Sequence, residues 1–251
     1  MKKPVLLMLA LTLLFAVSAP QSASAATYVT PKDSEFAGTK NGEFTYYGDD
    51  EYLRIPSTIK GVAVTKYDFM FANTKNIKGV ISDNPNITST VGMFTNNKSD
   101  TLTVDIDTSK VENMTAMFEG AKTQTINLSD RFNTAKVKDF AFMFAWTDVR
   151  NLDLSSWDTG DATCMYSMFQ NSKVTNLKLN FNTSKVEQMD NMFYKSKVQT
   201  LDLSSFTFAK GAVIDYMFDD SAATLVYVKT QKYADKLDAT IKPKGLTFVV
   251  K

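Results

Sequence analysis

Residues able to do chemistry are scarce in this chain. Its 251 residues include no histidine and one cysteine, Cys164. Ser-His-Asp and Cys-His nucleophile systems, HExxH zinc sites and imidazole proton shuttling are therefore excluded. So are a Cys-rich metal site and an intrachain disulfide. Carboxylates, lysines and tyrosines remain. Asp49-Asp50-Glu51 and Asp219-Asp220 are acidic clusters, and Asp105 and Asp107 form an Asp-x-Asp pair. Such groups ligate calcium or act as paired carboxylates. No Asp-x-Asp-x-Asp-Gly pattern accompanies them, and they read as solvated loop residues. Cys164 has no histidine to activate it and reads as a small helix residue. No catalytic residue, metal or cofactor is expected, and the chain is not expected to be an enzyme. Lys and Arg number 28 against 27 Asp and Glu, so no basic footprint for nucleic acid is present.

The elements that position these groups are repeated. The dipeptide Met-Phe occurs seven times, beginning at Met70, Met93, Met117, Met143, Met168, Met192 and Met217. The intervals are 23, 24, 26, 25, 24 and 25 residues. That period falls in the range of leucine-rich repeats. Nine and eleven residues after each Met stands an apolar pair, as in Leu152 and Leu154 or Leu201 and Leu203. The first interval offers Gly79 and Ile81 there. Polar residues alternate with most pairs, which predicts a short half-buried strand. A further apolar position recurs as Ile106, Phe132, Trp157, Phe181 and Phe206. Leading into Met-Phe, Val111, Met114, Met117 and Phe118 are spaced 3, 3 and 1, which predicts one face of a short helix. Ser109 with Glu112, and Ser184 with Glu187, read as its capping boxes.

The expected fold is an α/β solenoid. It is a leucine-rich-repeat-like stack of about seven strand–turn–short-helix units. The Met-Phe positions fill its core, because Met fits irregular gaps and Phe buries large area. The outward strand positions then form a face of small polar side chains. Thr103, Asn127, Asp153, Lys178 and Asp202 are the candidate binding residues on it. Aromatic anchors are scarce on that face, with none before Tyr227.

Both ends need caps, because open strand edges invite aggregation. Residues 26–69 read as an N-terminal β cap, with Glu43–Gly48 and Tyr52–Pro56 in a hairpin-like arrangement. The solenoid is expected over 70–225. Residues 226–251 read as the C-terminal cap: a strand, a helix over 231–239 with Thr230 as its N-cap, and a last strand over 246–250. Residues 1–25 read as a signal peptide. Met1-Lys2-Lys3 is basic, Val5 to Val17 is apolar, and Ala23-Ser24-Ala25 supplies the cleavage site. The expectation is a secreted or loosely surface-associated monomer, with no membrane insertion after cleavage.

Two segments carry a resemblance. LDLSSWDTGDATCMYSMF and LNFNTSKVEQMDNMF resemble the repeats of BspA-type leucine-rich-repeat surface proteins of bacteria. LRIPSTIKGVAVTKYDFMF is similar to that family's usual entry. The Asn of the ordinary leucine-rich repeat is absent, its region being taken by Trp157 or Phe206. The resemblance covers about 44–228. It implies a non-catalytic binding or adhesion module whose partner is an extracellular protein or glycan. The alternative is a structural component of the cell wall or matrix; a carboxylate-based enzyme ranks below both.

Overall fold

The computed structural model describes residues 26–38, 42–241 and 245–251. The leader read at 1–25 lies outside them. The N-terminal region forms β1 (Phe36–Gly38), β2 (Phe44–Tyr46), β3 (Tyr52–Arg54), β4 (Thr58–Ile59) and β5 (Val62–Ala63). β2 pairs antiparallel with β1, and β4 with β5. The expected hairpin between 43–48 and 52–56 does not form. β3 instead lies parallel to the first strand of the repeats and opens the main sheet.

From there the chain winds into a β-solenoid of about eight turns. The repeat strands are β6 (Gly79–Ser82), β7 (Thr101–Ile106), β8 (Thr125–Leu128), β9 (Asn151–Leu154), β10 (Asn176–Leu179), β11 (Thr200–Leu203) and β12 (Leu225–Val228). They run parallel, and Leu53, Val80, Val104 and Leu128 stand in one inward column. In the first unit the inward residues are Val80 and Ser82, in register with Val104 and Ile106, and Val80 stands ten residues after its Met where Val104 stands eleven, one position early. Its 23-residue interval is one short of the next, and the missing residue precedes the strand. A shift of one residue reverses which face each side chain occupies. Ile81 therefore turns outward and Ser82 inward, where its hydroxyl lies 2.6 Å from that of Tyr67.

The units contain no α-helix at Met-Phe, so the α/β leucine-rich-repeat description is corrected to a β-solenoid. Each corner is instead a run of overlapping turns. In the corner around Met143, the N–H groups of Phe142, Phe144 and Trp146 donate to the carbonyls of Tyr166, Met168 and Gln170 in the following turn, at 2.9, 2.9 and 2.8 Å. Met143 and Ala145 bond back to Phe140 and Phe142 within the corner. Alternate amides thus leave the segment, as in a strand. A helix would bond them all internally and would need 8–10 Å to its neighbour. Strands stack at about 4.8 Å, and a straight stack requires both sides of each turn to keep that spacing. The apolar spacing of 3, 3 and 1 is produced by turns with the same inward face. Residues at the supposed caps have other uses: the Ser109 and Ser184 N–H groups donate to the side chains of Asp107 and Asn182.

The Met-Phe phenylalanines form a ladder inside the corner. Phe94, Phe118, Phe144, Phe169, Phe193 and Phe218 stack on their predecessors, beginning from Phe71, with ring centroids 5.5–5.7 Å apart and planes within 15°. Tyr46 of β2 meets the first ring edge-on, and Phe248 tilts against the last. A second column runs Phe132, Trp157, Phe181 and Phe206, as the sequence spacing predicts. It ends on Phe208, which meets Tyr233 of the terminal helix α1 (Gln231–Ile241). Thr230 caps this helix through its Oγ1, 3.3 Å from the N–H of Tyr233. β13 (Thr247–Val250) then pairs parallel with β12 and closes the chain.

Candidate binding faces

Strand register decides which side chains share the outer face. Gly79, Thr103 and Asn127 stand in one row, as do Asp153 with Lys178 and Asp202 with Tyr227. All five candidate residues therefore point outward on successive strands. They also partner one another. Asn127 donates to Thr103 at 3.5 Å, Lys178 Nζ lies 2.7 Å from Asp153 Oδ2, and Lys251 bonds Asp202. Asp153 and Asp202 are held below the usual carboxylate range: partial burial opposes this, but the lysine and serine hydrogen bonds outweigh it.

The face has an aromatic end that strand spacing alone did not disclose. Tyr52 of β3 is in register with Gly79, and its ring meets Tyr28 edge-on at 5.6 Å. A Cβ at Gly79 would lie 2.7 Å from the Tyr52 ring and 3.0 Å from the Tyr28 hydroxyl, so glycine makes room for the pair. The expectation of no aromatic before Tyr227 is thus overturned. The missing signal was that β3 is the first rung of the sheet and not half of a hairpin.

The sheet is not laterally continuous. No strand pairing links β8 to β9 or β10 to β11 among the described residues. At the first break a cavity of about 580 Å³ opens, lined by Ile126, Leu128 and Phe132 on one lip and Leu152 and Trp157 on the other. The turn on the first lip spans the longest Met-Met interval. Its extra residues sit in Ser129-Asp130-Arg131. Arg131 folds over the outer face, with Nε 2.9 Å from Asp105 Oδ1 and NH1 3.2 Å from Asp83, which also bonds Arg54. The Arg131 hydrogen bond holds the Asp105 carboxyl low.

The acidic clusters do not converge. Asp50 accepts from the Tyr46 hydroxyl at 2.9 Å and Glu51 pairs with Lys78 at 2.6 Å. Asp220 lies 3.9 Å from Lys195. Among the described residues no group of three His, Cys, Asp or Glu side chains is placed to hold a metal. Cys164 is not on a helix. It bridges Asp139 and Gln188 in the corner ladder, its thiol 3.4 Å from Gln188 Oε1, and burial pushes the thiol up to about 11.

A family model described as a Mycoplasma protein of unknown function, DUF285, matches residues 88–206 and 149–230. No curated protein and no solved structure matches the chain.

Proposed function

The chain belongs to the DUF285 family, and on that footing we propose that it is a non-catalytic binding module, exported after cleavage at Ala25, that attaches to an extracellular protein or glycan in the manner of the BspA-type proteins it resembles. The observation that carries this reading is the strand register. It sets Thr103 with Asn127, and Asp153 with Lys178, outward in rows, and the corner bridges carry the stack on to Asp202 in the next turn. Extended faces of this kind are what solenoids offer to partners. Its ion pairs are exposed, and exposed pairs contribute about 0–1 kcal/mol. A partner can therefore replace them at little cost. The backbone behind them is held by strand pairing within β7–β8, β9–β10 and β11–β12 and by the corner hydrogen bonds that join successive turns, so little ordering is needed on binding.

The test is a combined replacement of Asn127, Asp153, Lys178 and Asp202 by Ala. The protein is passed over immobilised matrix proteins, mucin and purified cell wall. The reading expects the wild-type chain to be retained on at least one of these and the variant to wash through with an unchanged melting curve. Bulk accumulation of the wild-type protein in the wall fraction with no discrete ligand would favour the structural alternative.

A further inference from the structure

The corner side of the solenoid carries a second feature that the fold does not call for. Each corner places two residues in the left-handed region, one before Met and three after it. Glycine and asparagine enter that region cheaply, whereas bulky residues there are outliers costing about 1–3 kcal/mol each. Gly92, Gly120, Asn73, Asn96, Asn171 and Asn191 obey that preference. Phe69, Phe142, Trp146 and Tyr216 do not, with φ of 53°, 57°, 54° and 56°. Three of them are also poorly covered, Phe69 being 51%, Trp146 39% and Tyr216 60% exposed, while Phe142 is half-buried. They cost the fold twice, in backbone strain and in exposed apolar surface.

Their placement is regular. Phe69, Phe142 and Tyr216 hold the same position of the corner, each three turns after the last, with Gly92, Ala116, Ser167 and Asn191 between them. At about 4.8 Å per turn the stations are roughly 14 Å apart. The middle station is the largest. Phe142 stacks on Trp146 at 6.2 Å and meets Tyr166 of the following turn edge-on at 5.0 Å. At the first, Phe69 leans over Gly92 and lines a groove of about 560 Å³ together with the exposed Tyr47.

We propose that this corner face binds a linear, uncharged polysaccharide laid along the solenoid axis, with sugar rings stacked on the three aromatic stations. The proposal rests on the reading of the chain as a binding module and assigns a ligand class to a different face. A pyranose ring presents an apolar C–H face to an aromatic ring and hydroxyls around its rim. The stations are separated by small or polar residues, so each is too small for the core of a protein interface of about 800 Å² per partner. Each has the area of a sugar ring or two. Charge selects further. The corner segments, from four residues before Met to three after it, carry Asp68, Glu119, Asp139, Asp190, Asp215, Asp219 and Asp220 against Lys66 and Lys195. Lys75, Lys98, Lys122, Lys173 and Lys197 flank these segments, but at the stations themselves the carboxylate excess disfavours a polyanion and offers acceptors to sugar hydroxyls.

The test uses residues 26–251, with cellohexaose, chitohexaose and their disaccharides as probes and a hyaluronan octasaccharide as the anionic control. Trp146 is half-exposed while the other tryptophan, Trp157, is buried, so quenching of its emission reports the middle station. At least one neutral hexasaccharide should bind, more than tenfold tighter than its disaccharide, and hyaluronan should not. Phe142→Gly with Trp146→Gly should lose binding more than tenfold, read by calorimetry, while melting no lower than wild type because left-handed strain is relieved. The quadruple strand-face variant should bind the sugar normally. Failure of both neutral hexasaccharides to bind overturns the proposal, as does loss of sugar binding in the strand-face variant with retention in the glycine variant. Docking of a protein on the aromatic stations in place of sugar also overturns it. None of these outcomes bears on whether the strand face binds its own partner, which the retention experiment reads separately.

Discussion

At the residue scale, the corner assigns each side chain a strict role. Met and Phe turn inward, the residues beside them accept left-handed backbone, and the bridge position alternates with its neighbours through parallel pairing. Cys164 occupies that bridge position. With its thiol pushed up to about 11 by burial, it is almost wholly protonated at pH 8, and the thiolate is the reacting species. Iodoacetamide should label it slowly in the native protein and at the rate of an ordinary thiol in urea. Equal rates would mean that Cys164 is not packed against the neighbouring turns. The left-handed positions were themselves legible. Gly and Asn recur one before and three after Met, which is a turn signal inside a supposed helix. The spacing of 3, 3 and 1 concealed it, because helical and stacked-turn corners share an inward face.

At the element scale, strands and aromatic columns were readable because alternation and period survive in every unit after the first. The sheet breaks were not. The first coincides with two extra residues between β8 and the corner that follows, the second with no insert after β10, and nothing local distinguishes a bulge that opens a cleft from one absorbed in a loop. Arg131, in that insert, ties the outer face to Asp105 and Asp83. Because the folded Asp105 is held low by Arg131, the pair adds stability above the unfolded value near 4, and that stability is lost as pH falls through the lowered folded value. Arg131→Met should therefore lower the urea midpoint at pH 7 slightly, in keeping with about 0–1 kcal/mol for exposed pairs. The difference from wild type should shrink toward pH 2. A gap that stays constant with pH would mean that Arg131 acts through packing alone.

At the scale of the whole molecule, the side of the repeat that lies inside decides which surfaces are left to bind. The phenylalanine ladder and the inward strand pairs make one continuous core, and both proposed binding faces are what that core leaves outside. Had the Met-Phe positions been exposed, the row through Asp153 would be core and the aromatic stations would belong to an ordinary apolar surface. The most direct measurement compares denaturant melts of Phe169→Ala and Asp153→Ala. Phe169 is buried and stacked between Phe144 and Phe193 at 5.7 and 5.5 Å, and truncating it should cost about 3–5 kcal/mol. Asp153 is exposed on the strand face, and its replacement should stay within about 0.5 kcal/mol. Equal, small losses in the two variants would contradict the account.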